Sequence, residues 1–318
     1  MPSREIVPHG PFSLKAAAEF GFGPNAGGPS AFDGAMRLAF GIDGGRGYAG
    51  AVLRQPEAGG PVGVELHTTD GGDFPVALRQ LARILSLDQD GETFLQVGER
   101  DPVIGALQRA HPGQRPVLFH SPYEAAAWSI ISARRHATQA ARVRQDLSER
   151  LGEAFELAGR TLHAFPQPDR LVGLAETDDP PGLSAEKVAR LRGVARAALA
   201  GDLDVERVHA LGAEQAYEEM QRLKGLGPFY AGLVVLRASG FADAILKLSE
   251  PKVLRHAARF YGLAEPLTLT RFAKLAEPWR PFRTWVTVLI RLAGDRGRSV
   301  PDAGAAERAL RAVGQLDD

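Results

Sequence analysis

Leu223-Lys-Gly-Leu-Gly-Pro-Phe-Tyr-Ala231 is the stretch on which the fold turns. Gly225 and Gly227 flank one apolar residue, directly after a helical pattern at 213–223 and directly before Pro228, which opens another at 228–238. Proline in a helix's first position gives up no donor that the helix needs. A turn of this kind exposes consecutive backbone N–H groups beside a helix N-terminus, and such a nest of donors holds a phosphate without any side chain. DNA gripped there would be gripped without regard to its sequence. The same residues also suit a plain joint between packed helices, since glycine is common at helix C-caps.

Outward from this turn, nearly everything after residue 121 reads as helix. Ser121-Pro-Tyr-Glu offers a capping serine, a proline for the first turn and a glutamate to complete a capping box. Further helical patterns fall at about 138–151, 184–199, 204–211, 251–261, 268–276 and 280–293, with Gly or Pro at most joints. Earlier in the chain the pattern is short and β-like. Met36-Arg-Leu-Ala-Phe-Gly-Ile, Gly47-Tyr-Ala-Gly-Ala-Val-Leu and Val62-Gly-Val-Glu-Leu-His-Thr are separated by Gly- and Pro-rich joints, and the helical pattern Pro75–Leu85 follows them. The expected fold is α+β. An N-terminal antiparallel sheet domain with helices spans 1–115, an all-α domain spans 116–298, and a short helix with a polar tail spans 299–318.

At 318 residues, two or more units sharing an interface are the natural expectation. Hydrophobic residues at 44% and charged residues at 24% match ordinary globular usage, and no apolar run is long enough to span a bilayer, so no membrane partner is expected. The opening Met1-Pro-Ser-Arg-Glu-Ile-Val-Pro does not form a secretory signal, which predicts a cytoplasmic location. The chain has no cysteine, which excludes disulfides, thiolate zinc sites and cysteine-bound iron–sulfur clusters. Its eight histidines show no ligand spacing, so neither a metal nor another cofactor is expected. Positive and negative charges balance at 38 each, yet unevenly: residues 1–120 hold ten Lys/Arg against thirteen Asp/Glu, and 251–298 hold ten against three. A polyanion would prefer the C-terminal face.

The turn resembles the hairpin of the helix-hairpin-helix DNA glycosylases, with Lys224 where the family usually has proline. Glu250-Pro-Lys-Val-Leu-Arg-His-Ala-Ala-Arg-Phe-Tyr-Gly-Leu263 follows, without a gap, the family segment that begins at its catalytic aspartate. Glu277-Pro-Trp-Arg-Pro-Phe-Arg-Thr-Trp285 resembles a Trp- and Pro-rich segment of the 3-methyladenine glycosylases. Asp101-Pro-Val-Ile-Gly-Ala-Leu, His111-Pro-Gly and the segment from Ser121 resemble the lead-in to their first catalytic-domain helix. The likeness covers about residues 100–295. It implies a DNA glycosylase of base-excision repair that flips a damaged base out of duplex DNA and hydrolyses its N-glycosidic bond, acting as a monomer.

By that resemblance Glu250 stands in the place of the family aspartate. Its extra methylene displaces the carboxylate by roughly 1 Å, and a misplacement of that size costs on the order of a hundredfold in rate. A glycosylase-fold protein that binds damaged or distorted DNA without cleaving it is therefore the alternative. Read from the residues alone, Glu250 is a helix-start acid, with Ser249 as cap. Phe229 occupies the slot of the lysine that forms a Schiff base in the two-step enzymes, which implies a monofunctional enzyme. Lys224, Gly225, Leu226, Gly227, Arg134, Arg135, Lys252 and Arg255 are the expected DNA contacts. Arg134 falls where the family inserts a wedge residue, although a solvated basic helix end reads the same way. Phe20, Phe229, Trp128 and Arg291 are the expected lining of the base pocket, and Leu233, Arg291 and Leu292 replace aromatics common in the subfamily. An arginine there would repel a cationic base and suit a neutral one rich in acceptors. Trp279 and Trp285 also read as ordinary core residues, and Arg259 as part of a solvated face.

Overall fold

The computed structural model describes residues 3–20, 32–45, 47–69, 72–174, 182–245 and 250–297. Residue Ser249 and the segment 299–318 therefore lie outside the described residues. Strands β1 (Ser3–Ile6), β2 (Met36–Gly41), β3 (Tyr48–Arg54) and β4 (Val62–Thr68) form one antiparallel sheet in the order β1-β4-β3-β2. The three predicted strands are present; β1 is too short to show an alternation and joins by pairing along β4, from Ser3 with Glu65 to Ile6 with Val62. Helices α1 (Leu14–Ala18) and α2 (Phe74–Ile84) bury Leu14, Leu81 and Ile84 against Leu38, Phe40, Leu53 and Leu66 of the sheet. Among the described residues no helix is long and apolar enough to cross a membrane.

The remaining helices build two further apolar cores. In the first, α5 (Pro122–Ser132), α6 (Ala137–Leu151), α8 (Ala185–Leu199), α9 (Val205–Met220) and α10 (Pro228–Ala238) close around Trp128, Ile130, Leu191, Met220 and Val234, beside the short α7 (Pro168–Val172). The two helices expected at 204–211 and 213–223 meet at Gly212, where φ is +74° and the helical path of α9 breaks. In the second core, α3 (Gly91–Arg100) and α4 (Pro102–Ala110) bring Phe94, Val97 and Ile104 to α11 (Pro251–Tyr261), α12 (Leu269–Leu275) and α13 (Arg283–Asp295). Asp101 fastens this core. Its buried carboxylate caps α4 through Val103 N (3.0 Å) and Ile104 N (3.2 Å), and also accepts from Tyr261 Oη (2.5 Å) and Trp279 Nε1 (2.9 Å). Trp279 and Trp285 are both core residues.

Two expectations need correction. Inside the stretch read as helical, β5 (Ala154–Leu157) and β6 (Arg160–His163) form a hairpin whose two-residue turn, Ala158-Gly159, has positive φ at both positions. Such a turn matches the twist of paired strands. The hairpin docks on the sheet because Gly50 has no side chain: a Cβ there would sit 2.6 Å from the Phe155 ring. Second, the capping box at Ser121 is half made. Ser121 Oγ accepts from Glu124 N (3.1 Å), but the Glu124 carboxylate pairs with His120 (3.2 Å) and Arg144 (2.9 Å) instead of turning back to the helix start.

Candidate functional site

After α9 the chain closes the predicted hairpin with two short bonds, Leu223 N to Met220 O (3.2 Å) and Leu226 N to Leu223 O (2.9 Å). Gly225 takes φ +102°, and a Cβ there would lie 3.0 Å from Arg190 Cδ and 3.3 Å from Ile130 Cδ1. The turn is thus pressed onto α5 and α8, with Leu226 buried as its anchor. Gly227 is the N-cap of α10, in extended backbone, and no side chain caps this helix start. The first bond of α10 runs from Ala231 N to Gly227 O (2.9 Å), and Pro228 has no N–H. The N–H groups of Phe229 and Tyr230 belong to the first turn, whose donors have no partner within the helix. Lys224 is exposed beside them. A plain packed joint needs Gly225 and Leu226, whereas the uncapped start at Gly227 is what an anion requires.

The loop from α5 to α6 carries the predicted wedge. Arg134 is exposed and holds φ +56°, a left-handed conformation costly for a side chain other than glycine. The loop is fixed from behind by Lys187, whose Nζ donates to Ile131 O and Ala133 O (both 2.9 Å) at the end of α5. Burial, with Arg135 and Arg190 nearby, lowers the Lys187 ammonium from its usual range. Arg135 donates to Gly182 O, and Arg190 pairs with Glu186 (2.5 Å). Three cations thus stand behind Arg134 and the hairpin. Lys187 and Arg190 were not anticipated, because a Lys and an Arg three apart on a helix read as a solvated face.

Glu250 is the N-cap of α11, the place expected of Ser249, but its side chain caps nothing. Its carboxylate Oε2 accepts instead from Arg291 Nε on α13 at 3.1 Å. Arg291 also pairs with Asp295, whose other oxygen is 3.2 Å from His256 Nε2 on α11. A further guanidinium approaches from the end of α10. Arg237 lies 5.2 Å over the Phe20 ring and donates from Nη2 to Val117 O (2.8 Å). Burial brings Arg237 down to about 9, against the pull of the Glu250 charge and with a push from Arg291. Next to Phe20 in the chain, Glu19 O accepts from Arg296 at the end of α13 (3.0 Å). Glu250 and Asp295 thus share Arg291, while Arg237 lies over the Phe20 ring.

Of the predicted pocket residues, Arg291 meets this carboxylate and Phe20 lies under Arg237. Trp128 does not belong with them: α5 is buried on nearly all sides, and its tryptophan packs in the first helical core. Phe229 is 47% exposed in the first turn of α10, edge-on to Tyr230 at 5.3 Å. With Leu233 and Arg237 at four-residue steps, it forms one stripe along α10 that runs from the hairpin to the end of the helix. Lys252, Arg255 and Arg259 are exposed along α11, and their charges, after burial itself, hold His256 below its ordinary range. Arg237 was missed altogether, since a basic residue closing an apolar helix reads as a complement to the helix dipole. A separate cleft of about 300 Å³ opens between Asp43, Glu124, Phe165 and Glu206, away from Glu250 and the hairpin in its lining. Among the described residues no group of three or more His, Asp or Glu side chains could hold a metal ion.

No family model matches the chain. It is similar to the DNA-3-methyladenine glycosylase of Bacillus subtilis, 23% identical over 207 residues that cover 63% of this chain and 66% of that protein. It is also similar to the probable bifunctional transcriptional activator/DNA repair enzyme AlkA of Mycobacterium tuberculosis, 30% identical over 230 residues, 69% of this chain and 44% of that protein. The chain thus spans about two thirds of the first relative and under half of the second. Among solved structures, a 3-methyladenine DNA glycosylase from Archaeoglobus fulgidus has the same fold, with a TM-score of 0.73, 21% identity and coverage of 93% of this chain and 98% of that one. An 8-oxoguanine glycosylase/lyase from Clostridium acetobutylicum, solved with double-stranded DNA, shares it at a TM-score of 0.63 and 17% identity, over 93% and 99% of the two chains.

Proposed function

As a chain whose relatives and structural neighbours are helix-hairpin-helix DNA glycosylases, it is, we propose, a monofunctional DNA glycosylase that flips a damaged base out of duplex DNA and hydrolyses its N-glycosidic bond. The observation that carries this reading is the Glu250 carboxylate, placed at the start of α11 yet unused as a cap. The uncapped start of α10 at Gly227 supports a phosphate grip on one strand, and the exposed, strained Arg134 supports filling of the gap left by the flipped nucleotide. As the glycosidic bond lengthens, positive charge grows on the sugar, and a fixed carboxylate beside it lowers the barrier. The same oxygen orients water for attack at the sugar carbon and takes its proton. Phe229 has no amine, so no Schiff base forms through that position.

The pairing of Glu250 with Arg291 favours a second reading, a protein that binds lesions without cleaving them, because a carboxylate shared with a guanidinium offers less charge to the sugar. Both are tested with duplexes carrying alkylated, deaminated or oxidised bases, followed by alkaline cleavage of abasic sites. The enzyme reading expects product from at least one lesion and its loss in Glu250→Gln. No product across the panel, together with tight, salt-dependent binding to abasic DNA, establishes the second reading.

A further inference from the structure

Which base the pocket accepts is written in its charge. The Glu250 carboxylate is held by Arg291 at 3.1 Å, whose guanidinium also pairs with Asp295, and Arg237 at the end of α10 feels the charges of both Glu250 and Arg291. The aromatic face that a cationic base would seek is already covered, since Arg237 lies 5.2 Å over Phe20. A tethered guanidinium on that face excludes a free cation by occupying the ring and by like-charge repulsion. Leu233, the middle residue of the α10 stripe, adds no second ring.

The chemistry of departure runs the same way. When a cationic alkylpurine leaves, both electrons of the glycosidic bond neutralise it, so it needs no help from the protein. When a neutral base leaves, those two electrons make it an anion, and a positive group beside it lowers the barrier. Water then adds to the sugar carbon, and one of its protons passes to Glu250. That proton is passed on, directly or through solvent, to the base anion, which restores the carboxylate so that atoms and charge balance. With Arg291 paired to Glu250 and Asp295, it is the Arg237 guanidinium over Phe20 that suits the second case.

We propose that the pocket beside Glu250 takes an uncharged base rich in hydrogen-bond acceptors, with Arg237 and Arg291 as its specificity-determining residues, and discriminates against cationic alkylpurines. The inference rests on the glycosylase-fold reading of the site but not on turnover, so its test measures binding. Duplexes with a cleavage-resistant 2′-fluoro sugar carry either hypoxanthine, which is neutral, or 7-methylguanine, which is cationic, and affinity is read by fluorescence anisotropy at fixed salt. The parent is expected to bind the hypoxanthine duplex at least about tenfold more tightly, which is about 1.4 kcal/mol. Arg237→Met is expected to erase that preference and Arg237→Lys to keep most of it, with a thermal melt confirming that each variant folds. If Arg237→Met does not fold, Arg291→Met serves in its place. Equal or tighter binding of the 7-methylguanine duplex by the parent overturns the proposal, and so does an unchanged ratio in the folded methionine variant. A preserved preference without base release from cleavable duplexes counts against the enzyme reading alone.

Discussion

Replacing Gly227 by aspartate separates the two readings of the hairpin, because stability and DNA affinity should move in opposite directions. Gly227 has φ −72° and ψ 177°, the extended geometry of an ordinary N-cap, and a Cβ there meets nothing within 4 Å. Aspartate therefore fits without strain. Its carboxylate can accept from the N–H groups of the first turn and complement the helix dipole, a gain of about 0.5–1 kcal/mol. In a protein of this size that raises the melting temperature by about 1–4 °C. Those same N–H groups are the donors offered to phosphate. Losing charge-assisted bonds to them costs about 1.5–3 kcal/mol, and a negative charge about 4 Å from a phosphate adds about 1 kcal/mol even in water. The expected result is binding to a fluorescein-labelled abasic-site duplex weakened about a hundredfold, in a protein that melts no lower than the parent. Gly225→Val is the contrast. It forces a β-branched residue to φ +102°, against Arg190 and Ile130, and should lower the melting temperature by itself. If Gly227→Asp binds DNA within about twofold of the parent while still folded, the hairpin is a packing joint and the phosphate reading falls.

Three more outcomes are expected. Arg134→Gly relieves a left-handed side chain worth about 1 kcal/mol, so a differential scan should show a higher melting temperature while the preference for lesion over intact duplex, read by competition, declines. Asp101→Ala leaves Tyr261 Oη and Trp279 Nε1 buried without their acceptor and uncaps α4. Unfolding in urea should show a loss of at least about 3 kcal/mol, and a loss under 1 kcal/mol contradicts the role assigned to it. Acid should weaken the fold through Glu124. Burial alone would raise this carboxyl, but His120 and Arg144 hold it down at about 2. A folded value below the unfolded one means that its contribution is fully present above about pH 4.5 and fades as pH falls towards 2, roughly 3 kcal/mol in all. Glu124→Gln should flatten the stability profile across that window.

Local signals carried much of the fold. The glycines and proline of the hairpin, the serine cap at Ser121 and the Gly212 joint depend on backbone conformations that a few adjacent residues dictate, and they stand where they were expected. The β5–β6 hairpin was missed because its strands are four residues long and its turn is Ala158-Gly159, a weaker signal than Asn-Gly. The pocket was legible only in part. Glu250 and Phe20 were named through resemblance, since nothing in their immediate neighbours marks them. Arg237 was beyond reach because its partners lie 120 residues upstream at Val117 and further still at Phe20. Trp128 packs in the first helical core, and a tryptophan in an apolar helix reads the same in sequence whether its ring faces a cleft or a core.

The glutamate and the two arginines make more sense together than apart. A shorter aspartate at position 250 would draw its carboxylate back by roughly 1 Å, stretching the 3.1 Å bond to Arg291 beyond a good hydrogen bond. The longer side chain is therefore what lets the carboxylate and Arg291 meet. Once they meet, Arg291 is held on two sides, by Glu250 and by Asp295, and Arg237 remains as the guanidinium lying over the aromatic face. Glu250 with Arg291 alone would be a neutral pair of little use to a departing anion. Arg237 without Phe20 beneath it would lose a favourable face for its partly buried charge. The departures at 250 and 291 thus act together with Arg237 in one result, a site in which a guanidinium covers the aromatic face beside the carboxylate's partner. On this reasoning restoring aspartate alone would not restore an alkylpurine pocket, because the positive charge that repels such a base would still be there.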